Sequence, residues 1–194
     1  MLQPYYAFKE AGYDVTIASV AGGPIPIDTG SMKGDFFTAD AKKFMHDAEA
    51  FNSFSHSKKL DPSMGSQYDA VFVSGGHGCC VDMEGPAHAA LKAIIEAQYA
   101  RGAVVACDCH GPYALIECKK PDGSPLVAGL EVTGFSDSEE RGAGAYDWVV
   151  GAGAKLIEQE FIKQGAKYHA AAGESNASEP FITNESPSLH MASN

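Results

Sequence analysis

Two hydrophobic periods alternate through the middle of the chain. An apolar, β-branched run at 68–74 leads into a glycine-rich loop, and a stretch with apolar residues three and four positions apart follows at 87–100. Short β-branched runs between turn residues predict buried strands, and the longer period predicts a helix. A second apolar run begins at Ala103, so the pattern predicts a strand, a helix and a further strand in succession.

This order of elements indicates a βαβ unit, whose right-handed crossover requires the two strands to be parallel. We therefore expect an α/β fold built around a mostly parallel sheet. Ligands of such sheets bind beyond the carboxyl ends of the strands. The segments Gly75–Gly78 and Cys109–Gly111 both follow strand ends, and we expect them to share one pocket.

Weaker patterns on either side complete the predicted order of elements. They predict a helix at 2–11, a strand at 13–19, helical structure at 38–54, a strand at 130–135, a polar turn at 136–140 and an interrupted helix at 148–168. Beyond Gly173 the chain is polar and has little periodicity. We predict a single domain over residues 1–173 and an irregular tail over residues 174–194.

Composition and charge narrow the class of protein. The 194 residues are 45% hydrophobic and 20% charged, and no apolar run approaches the roughly 20 residues that cross a bilayer. A formal charge of −11 disfavours nucleic acids and anionic lipid surfaces as partners. Five cysteines, an odd number, do not suggest a disulfide framework, and the first residues do not show the basic-then-apolar pattern expected of a secretory signal. We expect a cytosolic protein that binds small ligands.

The segment around Cys109 carries the strongest chemical signal. A buried strand that ends at a cysteine and turns over Gly111 toward helix-forming residues places the thiol near helix N–H groups, which favour thiolate. Free cysteines at strand ends are also common packing residues. The adjacent His110 and the facing glycine loop favour a reactive thiol with a lowered pKa. The other four cysteines are predicted to pack in the core, with a redox partner for Cys109 as an alternative for Cys107.

The glycine loop has several possible uses. Its amides suit an oxyanion hole beside Cys109, and we expect Gly75, Gly76, His77 and Gly111 to bind the substrate. A tight turn without function is the plain alternative, and a phosphate cradle is disfavoured because the Lys-Ser/Thr pair of a P-loop is absent. No CxxC pair or HExxH motif is present, so we expect no metal.

Three motifs, taken in their order and spacing, resemble a known family. They are Gly-Gly-His-Gly at 75–78, Cys-His-Gly-Pro at 109–112 and Val-Thr-Gly-Phe-Ser-Asp-Ser-Glu-Glu at 132–140. Together they are similar to the ThiJ/PfpI superfamily, whose members are class I glutamine amidotransferase-like. The branch they most resemble contains glutathione-independent glyoxalases (glyoxalase III), protein deglycases and heat-shock chaperones. The resemblance extends over about residues 4–168.

The resemblance implies a fold and a reaction. The fold is a flavodoxin-like three-layer sandwich. In the reaction, Cys109 attacks methylglyoxal or a related 2-oxoaldehyde to form a hemithioacetal, and His110 moves protons until a 2-hydroxy acid is formed. Glu140 matches the acidic residue that orients this histidine, which completes a Cys-His-Glu triad. No metal or organic cofactor is implied, and a homodimer is expected by resemblance alone.

The two ends of the sequence depart from the family pattern. The family's first strand, and the glutamate that contacts the cysteine, would fall before Met1, and the usual last helix is not apparent. Residues 180–187 are similar to a diverged terminal strand and turn. Two other functions therefore stay open, namely a stress-response holding chaperone or redox sensor with weak or no catalysis, and a cysteine amidase or peptidase.

Overall fold

The structure is a computed structural model that describes residues 2–83, 85–170, 182–186 and 189–192. The chain divides into two compact units, Met1–Leu60 and Asp61–Asn194. Within the described residues, no helix combines the length and the apolar character needed to cross a membrane. The single domain predicted over residues 1–173 stays a prediction, and its boundary lies outside the described residues.

Within its described residues, the first unit contains, besides two 3₁₀ turns at Thr29–Met32 and Gly34–Phe36, three short α-helices and two short strands. They are α1 (Leu2–Glu10), β1 (Ala18–Ser19), α2 (Ala39–Phe44), α3 (Ala48–Ser55) and β2 (Lys58–Lys59), and β1 pairs with β2 in parallel. Tyr5 and Phe44 pack against Phe54, with ring centroids 5.6 and 5.1 Å from it, and form an aromatic core. Gly12, at φ +87°, ends the first helix in the left-handed conformation that glycine tolerates best.

Two predictions for this unit need correction. The strand predicted at 13–19 is reduced to Ala18–Ser19, because only this part forms a ladder with Lys58–Lys59. The helical stretch predicted at 38–54 is two helices. Asp47 divides it, since its side chain accepts a hydrogen bond from the Ala50 N–H and so caps a new helix.

The second unit carries the remaining elements. They are β3 (Ala70–Val73), α4 (Cys79–Asp82), α5 (Gly85–Ala100), β4 (Val104–Asp108), β5 (Glu131–Val132), α6 (Asp137–Gly142), α7 (Tyr146–Gly151), α8 (Ile157–Lys163), β6 (Lys167–Tyr168), β7 (Ile182–Ser186) and β8 (Leu189–Ala192). Four strands form one sheet in the order β3-β4-β8-β7, and β5 pairs with β6 in parallel. Within the larger sheet, β3, β4 and β8 run parallel and β7 is antiparallel to β8. The predicted α/β class and the parallel βαβ unit are confirmed.

The β3-α5-β4 unit is held by a buried apolar face and by one buried amide. Ile94 and Ile95 of α5 and Val105 of β4 are all at most 2% exposed. The Gln98 side chain is fully buried, and its amide donates to the Tyr68 carbonyl at 2.9 Å, which satisfies two polar groups that burial would otherwise penalise. The carboxyl ends of β3 and β4 are thereby fixed side by side.

Other predictions for this unit were partly wrong. The polar turn predicted at 136–140 is the start of α6, and the strand predicted at 130–135 is limited to Glu131–Val132. The interrupted helix predicted at 148–168 is two helices followed by a strand. The irregular structure predicted for 174–194 is wrong for 182–186 and 189–192. The resemblance to a terminal strand at 180–187 had indicated β7, whereas β8 was missed because four residues are too few to show a period. β8 is a strand because it pairs with β4, and β7 because it pairs with β8.

Candidate active site

The turn after β4 forces Cys109 into an unusual backbone conformation. Cys109 has φ +52°, in the left-handed region that residues with a Cβ rarely adopt, and such strain is concentrated at functional sites. Its carbonyl accepts a hydrogen bond from the Phe135 N–H at 3.0 Å, which ties the turn to the segment after β5. A 3₁₀ turn, Gly111–Leu115, follows in place of the α-helix that the sequence suggested. The side chain of Cys109 remains partly exposed.

Two glycines allow the turn to lie against the end of β3. A Cβ at Gly111 would lie 2.2 Å from the Val73 carbonyl oxygen, and a Cβ at Gly75 would lie 2.6 Å from the Cβ of Cys109. The Gly75 N–H is already engaged, because it donates to Asp108 Oδ1 at 2.7 Å. The structure therefore gives Gly75 and Gly111, for which substrate contacts were predicted, a packing role that brings the two strand ends together.

His110 lies between the thiol and a buried carboxylate. Its Nδ1 is 3.3 Å from Cys109 Sγ, and its Nε2 is 2.7 Å from Glu140 Oε1. His110 and Glu140 are 1% and 3% exposed. An ionised carboxylate only accepts hydrogen bonds, so a neutral His110 carries its proton on Nε2 and presents a lone pair on Nδ1 to the thiol. The Phe135 ring, tilted by 30° with its centroid 4.3 Å away, covers the imidazole.

The position of Glu140 is set by the start of α6. Ser136 caps this helix by accepting from the Glu139 N–H, and the Glu139 side chain accepts from the Ser136 N–H in return, which is a complete capping box. Glu140 therefore lies in the first turn, and its side chain points inward to His110. The Ser-x-x-Glu pattern at 136–139 is a sequence signal for the start of this helix, and the prediction of a polar turn did not take it into account.

His77, in the loop after β3, contacts the same carboxylate. Its Nε2 lies 3.1 Å from Glu140 Oε2, and its ring centroid is 4.1 Å from that of His110. Trp148, whose ring centroid is 6.0 Å from that of His77, borders this imidazole and was not singled out from sequence. Gly76, at φ +122°, gives the loop the conformation that brings His77 to this position.

The pKa of the Cys109 thiol contradicts the expectation from sequence. Burial raises it from 9.0 to about 11, although the backbone N–H groups of His110 and Gly76 lower it. The negative charge of Asp108 raises it further. Desolvation of the charged form outweighs two amide donors here, and the segment that was expected to begin an α-helix and favour thiolate is a 3₁₀ turn. The free thiol therefore keeps its proton at neutral pH.

The pKa of His110 moves in the direction that suits a base. Burial of the ring lowers the pKa below its ordinary value, and the nearby His77 lowers it further, while the hydrogen bond with Glu140 raises it. The burial contribution is the largest, so the imidazole is neutral at pH 7. A neutral imidazole 3.3 Å from a protonated thiol is arranged to accept the thiol proton.

The remaining cysteines have different surroundings. None of the five cysteines forms a disulfide, and the four other than Cys109 are buried. Burial raises the pKa of Cys79 to about 12 and that of Cys107 well above its ordinary value. Cys79 Sγ lies 3.5 Å from the Ser74 carbonyl oxygen. These features agree with the packing role predicted for them.

One group of side chains has donor atoms close enough together to raise the question of a metal. The ligand atoms of His77, His110 and Glu140 all lie within 4.8 Å of one another. Ligands around tetrahedral zinc are separated by about 3.4 Å, given Zn–N distances of about 2.0–2.1 Å. Both imidazoles are directed at the carboxylate oxygens, at 2.7 and 3.1 Å, so we interpret the group as a hydrogen-bonded network and assign no metal ligands.

Comparisons with known proteins identify a family and several similar proteins. Residues 1–179 match the family described as DJ-1/PfpI. The chain is 31% identical over 173 residues to Glyoxalase 3 of Candida albicans, covering 86% of this chain and 71% of that protein. It is 26% identical over 207 residues to the protein/nucleic acid deglycase HchA of Pseudomonas aeruginosa, covering 100% of this chain and 67% of that protein.

Solved structures give the same result for the fold. The crystal structure of glyoxalase III from Candida albicans is 30% identical, with a TM-score of 0.85 over 100% of this chain and 79% of that one. This similarity confirms the flavodoxin-like α/β fold that the three sequence motifs implied.

Proposed function

Because this chain belongs to the DJ-1/PfpI family, we propose that it is a glutathione-independent glyoxalase that converts methylglyoxal or a related 2-oxoaldehyde to a 2-hydroxy acid. The observation that carries the proposal is the continuous contact from Cys109 Sγ through the two nitrogens of His110 to Glu140, at 3.3 and 2.7 Å. This contact unites a nucleophile, a base and a group that orients the base.

The first step uses the thiol in its protonated form. As Sγ of Cys109 bonds to the aldehyde carbon, its proton passes to His110 Nδ1, and the carbonyl oxygen gains the electron pair. The N–H groups of Gly76 and His110, which already act on the sulfur, are the donors we assign to that oxygen. The oxygen then takes the proton from His110, which completes a neutral hemithioacetal.

The second step moves hydrogen between the two substrate carbons. His110 Nδ1 removes the proton from the former aldehyde carbon and passes it to the neighbouring ketone oxygen, which gives an enediol. His110 then takes the hydroxyl proton of the first carbon and delivers it to the second carbon, so that a carbonyl forms at the first carbon. The product is a thioester of a 2-hydroxy acid on Cys109. One carbon has been oxidised and its neighbour reduced by the same two electrons, so the reaction needs no redox cofactor.

The last step releases the product. Water attacks the thioester carbonyl while His110 accepts one of its protons, and the carbon–sulfur bond breaks. The leaving thiolate takes the proton back from His110, and the free acid loses its own proton to solvent. For methylglyoxal the sum is one molecule of the aldehyde and one of water giving lactate and one proton. Glu140 stabilises the imidazolium each time it forms.

The experiment is direct measurement of lactate formed from methylglyoxal, without added thiol and with EDTA present. We expect turnover by the wild-type protein and a loss of more than about a thousandfold in Cys109→Ser. Cys107→Ala is the matched control, because it changes a cysteine two residues away that lies in the core. Absence of lactate with the wild-type protein, or equal loss in both variants, would contradict the proposal.

A second candidate is a deglycase, because the chain aligns over its whole length with the Pseudomonas aeruginosa deglycase. In this reaction the Cys109 thiol displaces the amine from the carbonyl-derived carbon of a hemiaminal: the carbon–sulfur bond forms, the carbon–nitrogen bond breaks, and the amine leaves with the thiol proton carried by His110. The resulting hemithioacetal then follows the steps given above. The test uses preformed adducts freed of residual methylglyoxal, so that removal of free aldehyde does not imitate release.

We also propose the homodimer that the family resemblance implies, and sedimentation would test it.

A further inference from the structure

Both oxygens of the Glu140 carboxylate are occupied by imidazoles. Oε1 accepts from His110 at 2.7 Å, and Oε2 accepts from His77 at 3.1 Å. Glu140 is 3% exposed, and a charged group so deeply buried requires hydrogen-bond donors. Removing one donor leaves a lone pair unsatisfied, and the carboxylate then turns toward another donor or admits water. The proposed mechanism leaves the contact with His77 without a use.

His77 is held in place by more than this hydrogen bond. Its ring lies 4.1 Å from the His110 ring and meets the Phe135 ring edge to face at 5.9 Å. The side chain is nevertheless 38% exposed, whereas that of His110 is 1% exposed. His77 is therefore held more firmly than an ordinary loop histidine, because two rings pack against it and its Nε2 is hydrogen-bonded to a buried carboxylate.

We propose that His77 is a positioning residue of the glyoxalase reaction, which holds Glu140 in the one orientation that aligns His110 with the thiol of Cys109. The inference rests on the proposed function. The hydrogen bond from His77 to Oε2 sets the orientation of the carboxylate plane. This orientation in turn holds Oε1 at hydrogen-bonding distance from His110 Nε2. The direction of that bond sets where Nδ1 points. His77 thus acts through two other groups and does not itself need to contact the substrate.

The charges around His110 provide a second way to test the role of His77, through the pKa of His110. The titratable groups facing the ring are Glu140 and Glu139 from α6, His77 from the loop after β3, and Cys109 from its own turn. The two glutamates raise the pKa of His110, and His77 lowers it. Loss of His77 should therefore raise the pKa of His110, so that activity is lost at a higher pH on the acid side.

The experiment compares His77→Ala and His77→Gln in methylglyoxal turnover across pH. We expect His77→Ala to lower kcat about tenfold with little change in KM. His77→Gln should recover most of kcat, since the glutamine amide can occupy the place of Nε2 and donate to Glu140. In both variants the acid limb of kcat/KM should move to higher pH. His169→Gln is the matched control, because His169 is 41% exposed and lies 3.5 Å from Glu131.

Three results would overturn the inference. A raised KM with unchanged kcat in His77→Ala would make His77 a substrate contact. Equal losses in the alanine and glutamine variants, with an unmoved acid limb, would indicate a structural role only. An equal loss in His169→Gln would show that the effect is not specific to this pair.

A measurement without substrate separates this inference from the proposed function. In protein labelled with ¹³C-histidine, NMR titration should give a higher pKa for His110 in His77→Gln than in the wild-type protein. An unchanged pKa overturns the inference even where lactate is formed. Absence of lactate from the wild-type protein overturns the proposed function, and the titration still decides the role of His77.

Discussion

Cys107 and Cys109 are two residues apart on the same strand and its turn, yet their surroundings are opposite. Cys107 lies within β4, is 2% exposed, and pairs in register with Val73 of β3. Cys109 lies just beyond the strand, at φ +52°, with an imidazole nitrogen 3.3 Å from its sulfur. The residue type is the same, so the difference arises from the backbone and from partners distant in sequence.

This difference shows where the reactivity of the thiol originates. Burial raises the pKa of both thiols, so neither is a stable thiolate at neutral pH. What distinguishes Cys109 is a base within hydrogen-bonding distance and two backbone amides directed at the sulfur. We infer that the proton leaves as the carbon–sulfur bond forms, which makes His110 as essential as the sulfur.

The largest effect should come from removing the space that the turn requires. A Cβ in Gly111→Ala would lie 2.2 Å from the Val73 carbonyl oxygen and 3.1 Å from the Cβ of Cys107. These are backbone and core atoms that have little freedom to move, so we expect a loss of about 3 kcal/mol or more in the free energy of unfolding. Lactate formation should be lost as well, because the turn carries both Cys109 and His110.

Denaturant unfolding measures the first effect, and Gly142→Ala provides the control. A Cβ at Gly142, the last residue of α6, meets no atom within 4 Å, and the residue does not have positive φ. This variant should unfold at about the wild-type denaturant concentration. If Gly111→Ala unfolded at the wild-type denaturant concentration, the backbone of β3 and the turn would not be in the close contact that excludes a Cβ at this position.

The next largest effect is expected at Glu140, which lies thirty-one residues from Cys109 in the sequence and contacts it through His110. Glu140→Gln removes the charge that stabilises the imidazolium, and we expect kcat to fall about a thousandfold. Glu139→Gln is the matched control, since Glu139 belongs to the capping box and contacts Ser136. It should retain activity while weakening the start of α6. Nearly wild-type kcat in Glu140→Gln would remove Glu140 from the mechanism.

The sequence was sufficient to predict the parallel β3-α5-β4 unit and the meeting of its two loops. Strong hydrophobic periods define these elements, and the topology of a parallel sheet brings their carboxyl ends together. The proximity of Glu140 to His110 followed only from the family resemblance, because contact across thirty residues leaves no local pattern. β8 was missed since its pairing with β4, and not its own four residues, makes it a strand.

The direction of the thiol pKa could not be predicted from sequence either. The sequence placed Cys109 between a strand and an expected helix, whose N-terminus would lower the pKa of the thiol. The following segment is instead a 3₁₀ turn, and burial of the thiol raises its pKa by more than the nearby amides lower it. The packing around the sulfur decides between these effects, and packing depends on segments far apart in the chain. The packing of the Phe135 ring against the His110 imidazole could likewise not be predicted from the Cys-His-Gly-Pro motif.

The smallest effect concerns the reactivity of the free thiol. A pKa raised from 9.0 to about 11 means that, at pH 8, iodoacetamide should alkylate Cys109 about a hundredfold more slowly than an unperturbed thiol, since each pH unit is tenfold in thiolate. The rate should keep rising with pH toward about 11. Mass spectrometry of the modified peptide measures it, and Cys109→Ser corrects for the buried cysteines. Because alkylation requires thiolate, whereas the proposed reaction uses His110 to remove the proton, slow alkylation with rapid turnover is the expected combination. An inflection below pH 9 would contradict the raised pKa, and one below pH 7 would mean a preformed thiolate at neutral pH, which would make His110 less important than the sulfur.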